Sequence, residues 1–155
     1  MTANVSSADR YMSIRLENQL CFPLYACAKE VVRQYRKPLS ALNLTYTQYV
    51  VMMVLWEHGG MTESELGHRV HLDSGTLAPL LKRLDKQGYI RRNRPEDDER
   101  TLLVTLTEKG EALKEPALEV PSAMQDCLTL EPEELLQLKR LLDKALHQMG
   151  EGSVD

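Results

Sequence analysis

Cys21 lies in the run Leu16-Glu17-Asn18-Gln19-Leu20-Cys21-Phe22, with Tyr25 one helical turn later. A tyrosine at i+4 shares the cysteine's helical face and can donate its hydroxyl to sulfur. Thiol reactivity needs the thiolate, which is favoured by a cation, a helix N-terminus or hydrogen-bond donors. A cysteine without such surroundings behaves as a small hydrophobe. The run therefore leaves two readings open, an inert packing residue and a redox sensor. Cys27 and Cys127 bring the cysteines to an odd total without metal-ligand spacing. Cys27 sits about 240° around a helix from Cys21 and is expected to pack. In a reducing compartment all three are thiols by default, so a disulfide would be a regulated event.

A second set of chemistry-bearing residues is basic. Between Leu66 and Arg94 stand Arg69, Lys82, Arg83, Lys86, Arg91, Arg92 and Arg94, opposed only by Asp73 and Asp85. That stretch carries +5 in a chain whose net charge is −4, so the remainder carries about −9. Such segregation, rather than the total, governs attraction to phosphate. Charge alone does not separate this reading from basic residues that merely solvate helix faces.

The elements that must position these groups read as mainly helical. Apolar residues Leu20, Leu24, Val31 and Tyr35 recur at helical spacing from about Ser13 to Tyr35. Pro23 means that this helix either starts near Leu20 or kinks there, and Lys37-Pro38 is expected to break it. Thr45 with Gln48, and Thr62 with Glu65, are capping boxes that open two helices, the first ending before Gly59-Gly60. Asp73 caps a helix through Leu77, Leu80, Leu81 and Leu84 to a stop at Gly88. Tyr89–Arg94 and Arg100–Leu106 read as two strands of a hairpin. Thr107 caps a further helix that Pro116 and Pro121 kink or divide. In the last helix Leu135, Leu138, Leu142, Ala145 and Met149 form a heptad seam. The first and last helices offer more apolar surface than the central module needs, so a homodimer is expected.

This order, helix, short helix, turn, helix and basic hairpin, is that of a winged helix-turn-helix. Such a module lays the N-terminal part of its recognition helix in the major groove of double-stranded DNA. Ser74, Thr76 and Pro79 fall there, with Lys82, Arg83 and Lys86 on later turns as phosphate partners. Arg91, Arg92 and Arg94 fall in the hairpin, where an arginine near the tip can enter the minor groove. Of these, Arg92 and Arg94 are assigned to the DNA, and one of Arg91 and Arg92 is expected to face solvent without touching it.

Leu72-Asp73-Ser74-Gly75-Thr76-Leu77, Leu81-Lys82-Arg83-Leu84, Gly88-Tyr89-Ile90-Arg91-Arg92, Asp98-Glu99-Arg100 and Leu106-Thr107-Glu108-Lys109-Gly110 resemble the core and wing of MarR-type regulators. The resemblance implies one domain over residues 1–155, mainly α with a small β-hairpin wing. Residues 38–107 would form the winged helix-turn-helix, and 11–36 and 108–149 the dimerisation helices. It implies a repressor bound to a pseudo-palindromic operator, with Asp98 and Arg100 bracing the wing as an ion pair and Arg94 nearest its tip.

The residues around Cys21, together with Leu24-Tyr25, Leu44-Thr45-Tyr46 and Leu55-Trp56-Glu57-His58, look like the organic-hydroperoxide-sensing branch of that family. There the matching cysteine is the peroxide-sensing thiolate. Tyr25 and Tyr35 match two tyrosines that hold it, the second supplied by the partner chain. The branch resolves the oxidised cysteine with either a second cysteine, for which Cys127 is the candidate, or a low-molecular-weight thiol.

Two other readings compete, besides a DNA-architectural protein with no sensing. One is a MarR-type repressor responding to a small aromatic ligand or a metal, for which His68 and His71 at i, i+3 are a weak site. The other is a thiol peroxidase, disfavoured by the lack of a Cys-x-x-Cys pair or another catalytic constellation. A non-enzyme without cofactor or bound metal is expected. The N-terminus has no basic patch leading into an apolar core, and no apolar stretch approaches the roughly 20 residues that span a bilayer. A cytoplasmic protein with no membrane partner is expected.

Overall fold

Four prolines mark where the helices start afresh. The computed structural model of the chain describes residues 11–94, 101–125 and 127–151. After a 3-10 turn at Leu16–Asn18, the helices are α1 (Cys21–Gln34), α2 (Arg36–Ser40), α3 (Tyr46–His58), α4 (Glu63–Val70), α5 (Ser74–Lys86), α6 (Glu108–Ala112), α7 (Lys114–Ala117), α8 (Glu119–Ala123) and α9 (Pro132–Glu151). Pro23, Pro38, Pro116 and Pro121 each occupy the third position of α1, α2, α7 and α8. A proline has no N–H and crowds the carbonyl four residues back, so an early helical position is where it is tolerated.

Pro23 therefore marks the start of α1 and does not kink it. Lys37-Pro38 does not end the helical path as expected. It lies inside α2, and the interruption falls earlier, at Tyr35, whose angles (φ −60°, ψ −19°) remain right-handed helical. The expected division at Pro116 and Pro121 occurs in the same way, at Leu113 and Leu118.

Both capping boxes form as their spacing predicts. Thr45 accepts from the Gln48 backbone while the Gln48 side chain accepts from Thr45, and Thr62 and Glu65 repeat the arrangement. Helix α3 ends at Gly59 with φ 75°, and α5 is followed by Gly88 with φ 77°, left-handed turns that glycine adopts at little cost.

The sheet has three antiparallel strands, in the order β1-β3-β2, where the sequence pattern showed two. Strands β2 (Ile90–Asn93) and β3 (Leu103–Leu106) are the expected hairpin with shorter bounds. The added strand β1, Met61–Thr62, pairs with Val104 and Leu103. Two residues are too few to show a period. Residues 95–100 at the hairpin tip lie outside the described residues.

One hydrophobic core joins these pieces. It takes Leu39 from α2, Val51, Met52 and Leu55 from α3, Leu66 from α4, Leu77, Leu81 and Leu84 from α5, Ile90 and Val104 from the sheet, and Val120 from α8. Helix α1 contributes no buried residue. The chain divides into two compact units, Met1–Met124 and Gln125–Asp155. In the second unit Leu135 and Leu138 of α9 are half-buried, while Leu142, Ala145 and Met149 of the same seam are exposed.

Candidate nucleic-acid interface and thiol site

Helix α5 separates two chemistries by its period. Leu77, Leu80, Leu81 and Leu84 are buried, whereas Ser74, Gly75, Thr76, Pro79, Lys82, Arg83 and Lys86 are exposed or half-buried on the other side. The helix runs through Pro79 undivided. The turn leading into it requires Gly67, since a Cβ there would stand 2.9 Å from the Leu72 carbonyl oxygen and 3.3 Å from Leu77 Cδ2. That close approach seats α4 on α5.

Asp73 anchors the start of α5. Its Oδ1 accepts from the Thr76 N–H and its Oδ2 from the Thr76 hydroxyl, both at 2.9 Å. The Thr76 N–H, and then its hydroxyl, hold the Asp73 carboxyl below the ordinary carboxylate range. A carboxyl lowered on folding adds stability above its unfolded value, near pH 3.9, and loses it as the pH falls through the folded value. Asn caps as well as Asp but does not titrate. Asp73→Asn is therefore expected to keep α5 intact at neutral pH and to lose less stability than wild type as the pH falls below about 4, as read by thermal unfolding. An unchanged acid limb would show that Asp73 does not govern it.

The hairpin separates its arginines by the period of a strand. Ile90 is buried, so Arg92 shares its inward face, while Arg91 faces out. Arg92 Nη2 lies 3.3 Å from Glu63 Oε2, with the two side chains only 17% and 18% exposed. The guanidinium expected to meet DNA is thus turned toward the start of α4. Arg91 takes the outward position in its place, and Arg94 is exposed beyond the strand. The signal that points Arg91 outward is present in the sequence, because an apolar Ile90 fixes which alternate residues point inward. Asp98 and Arg100 lie outside the described residues.

Cys21 is the first residue of α1, is exposed, and follows a cap residue, Leu20, whose side chain makes no capping bond. The N-terminus of a helix is the end at which negative charge is favoured. Leu20 is 82% exposed, and Phe22 and Leu24 are exposed beside it. Tyr25, 63% exposed, lies on the next turn of the same face with its ring 5.9 Å from the Lys29 ammonium. Tyr35 closes the far end of α1, 14 residues on, roughly 21 Å along a helix. It stacks on Tyr46 (4.9 Å) and Tyr49 (6.2 Å), and Tyr49 in turn meets Trp56 edge-on at 6.2 Å. One chain therefore does not bring Tyr35 to its own Cys21.

Cys27, expected to pack, is exposed, in a helix none of whose residues is buried. Cys127 is half-buried, in the second unit. His68 and His71 are exposed. Among the described residues no group of three or more His, Cys, Asp and Glu is placed to hold a metal ion. No helix among them is long and apolar enough to cross a membrane.

The three-stranded sheet, the capped recognition helix and the arginine-bearing hairpin define a winged-helix transcriptional regulator. The chain belongs to the MarR and SarA/Rot type of this class: residues 33–116 match the family model for the transcriptional regulator SarA/Rot. It is 45% identical to the organic hydroperoxide resistance transcriptional regulator of Bacillus subtilis, over 90% of this chain and 97% of that one. Among solved structures it is similar to AbfR of Staphylococcus epidermidis at 34% identity, covering 94% of this chain and 99% of that one. The TM-score is 0.77 to reduced AbfR bound to DNA and 0.60 to the disulfide-formed protein. It is also similar to a MarR mutant of Escherichia coli complexed with operator DNA, with 26% identity, 82% and 93% coverage and a TM-score of 0.70.

Proposed function

We propose that this chain is a cytoplasmic, homodimeric repressor that senses organic hydroperoxides through Cys21 and releases a pseudo-palindromic operator when that residue is oxidised. The observation that carries the reading is the placement of Cys21, exposed at the N-terminal residue of a helix, in the same chain as a capped basic recognition helix. The similarity to a regulator named for organic hydroperoxide resistance, and to one solved both reduced on DNA and with a disulfide, supports it.

Exposed apolar surface supports the dimer. Helix α1 is a 14-residue element with no buried residue, and Leu20, Phe22, Leu24 and Val32 in and beside it are exposed, as are Leu142 and Met149 on α9. Apolar surface of that extent is a feature of association sites. A second copy also supplies the Tyr35 that one chain holds too far from its own Cys21.

In the bound state Ser74, Thr76 and Pro79 face base edges. Lys82, Arg83 and Lys86 meet phosphates, and Arg91 and Arg94 extend from the hairpin. The Thr76 hydroxyl gives its proton to Asp73, so it meets a base as an acceptor and suits an adenine or cytosine amino group. In the sensing step the Cys21 thiolate attacks the outer peroxide oxygen, the O–O bond breaks, and the alcohol leaves. The sulfenic acid then condenses with a second thiol, forming a disulfide and releasing water.

We assign that second thiol to Cys127 of the partner copy. Cumene hydroperoxide is expected to yield a covalently linked dimer on a non-reducing gel, and a Cys21–Cys127 peptide in a digest. Cys127→Ser should abolish both. A linked dimer that survives Cys127→Ser, or a Cys21 adduct with a small thiol in wild type, would remove Cys127 from the mechanism. Band shifts on a duplex pool enriched on the reduced protein test the repressor reading itself, and peroxide consumption far beyond one equivalent would favour a thiol peroxidase.

A further inference from the structure

The Arg92–Glu63 pair belongs to neither the DNA face nor the thiol site, and it joins the two parts whose relative angle decides how a winged helix sits on DNA. Glu63 is the first residue of α4, and its N–H donates to the Leu102 carbonyl at 2.9 Å. The neighbouring Thr62 pairs with Leu103 of β3. Arg92, opposite Val104 on β2, reaches the Glu63 carboxylate from the other strand. The start of α4 is thus tied to both strands of the hairpin. Helix α4 in turn is seated on α5 at Gly67, where no side chain would fit without displacement. Wing, α4 and recognition helix form one mechanical series.

The pair is expensive to keep. Burying charged groups carries a desolvation penalty, and Arg92 Nε is buried with no hydrogen-bond partner. An apolar pair of similar size would fill the same space without that penalty. What an ion pair adds is direction, because the guanidinium and carboxylate meet only over a narrow range of geometry.

We propose that Arg92 and Glu63 are positioning residues for operator binding, holding the wing at the angle at which Arg91 and Arg94 reach the duplex while α5 lies in the groove, and that Arg92 itself does not touch DNA. The inference rests on the DNA-binding reading above.

Charge and position predict opposite signs, which makes the test direct. Glu63→Gln removes a negative charge from a DNA-binding module, and by electrostatics alone it would tighten binding. If the pair positions the wing, Glu63→Gln instead weakens binding at least fivefold. The measurement is affinity against salt concentration, using a duplex pool enriched on the wild-type protein and a random-sequence duplex. Each variant is assayed at a temperature where circular dichroism shows it folded. Arg92→Gln is expected to weaken binding to the enriched pool with the slope of log K against log salt unchanged, and to add little in the Glu63→Gln background. A slope smaller by about 1 would mean a lost phosphate contact, and additive effects would mean independent roles. Either result overturns the proposal, as does equal or tighter binding by Glu63→Gln. Should Arg92→Gln fail to fold, Glu63→Gln and Glu63→Asp decide by the same signs. A wild type that binds neither duplex sinks the DNA-binding reading, whereas a wild type that binds beside an unaffected Glu63→Gln sinks only this inference.

Discussion

Cys21→Ser is expected to stay on its operator in cumene hydroperoxide, while the wild-type protein loses at least about tenfold in affinity, about 1.4 kcal/mol. The reason is chemical. A serine hydroxyl is nearly isosteric with the thiol but a weak nucleophile unless an adjacent base activates it. At the first position of α1 the side chain is exposed, so the exchange should leave stability within about 0.5 kcal/mol and the reduced affinity unchanged. The amplification is geometric. A dimer reads two half-sites roughly 34–36 Å apart, and a shift of a few ångströms between its recognition helices takes one of them out of its groove. The exposure of Cys27 makes it the control, since it is exposed like Cys21 but lies six residues further from the helix N-terminus. Cys27→Ser is expected to respond as wild type does. Release of DNA by oxidised Cys21→Ser, with sensing lost in Cys27→Ser, would transfer the sensor to the second cysteine.

Gly110→Ala carries the largest expected effect on stability. A Cβ at Gly110 would stand 1.9 Å from the Tyr89 carbonyl oxygen and 2.9 Å from its carbon. Both are backbone atoms, so no side chain can swing aside. The Tyr89 carbonyl already accepts from the N–H and the hydroxyl of Thr107, the cap of α6. Gly110 closes that cap through its own N–H, and its carbonyl accepts from the Trp56 indole at 2.9 Å. Separating α6 from the Tyr89 backbone to admit a methyl group breaks this cluster at several points. We expect a loss of about 4 kcal/mol and a Tm lower by roughly 8–16 °C for a chain of this size, measured by urea and thermal unfolding. Trp56 is the sole tryptophan, so its fluorescence reports the same junction directly. A variant within about 1 kcal/mol of wild type would mean that the Gly110–Tyr89 contact yields far more easily than its geometry implies.

Features set by near neighbours along the chain are legible in the sequence alone. The caps at Thr45, Thr62, Asp73 and Thr107, the stops at Gly59 and Gly88, and the buried leucines of α5 depend on hydrogen bonds and side-chain periods spanning four residues or fewer. The recognition helix and its outward Ser74, Thr76, Lys82, Arg83 and Lys86 follow from the same local rules. Cys21 stands out as a candidate for a similar reason: Tyr25 at i+4 shares its helical face, whereas Pro23 left a helix start and a kink both open until the fold placed the start at the thiol.

Packing between distant segments decided the rest. Strand β1 exists only because β3 offers Val104 and Leu103 to pair with Met61 and Thr62. Ile90 already sets the inward direction of Arg92, but that it meets Glu63, 29 residues earlier, is decided by where α4 starts against the hairpin. Tyr35 joins an aromatic row with Tyr46 and Tyr49 rather than its own helix's cysteine, because a rigid helix holds its two ends apart. Cys27 stays exposed in a helix that contributes no buried residue to the core. Local periodicity states which residues share a face. Which neighbour that face meets is set by the fold, where the opposing surface comes from residues tens of positions away.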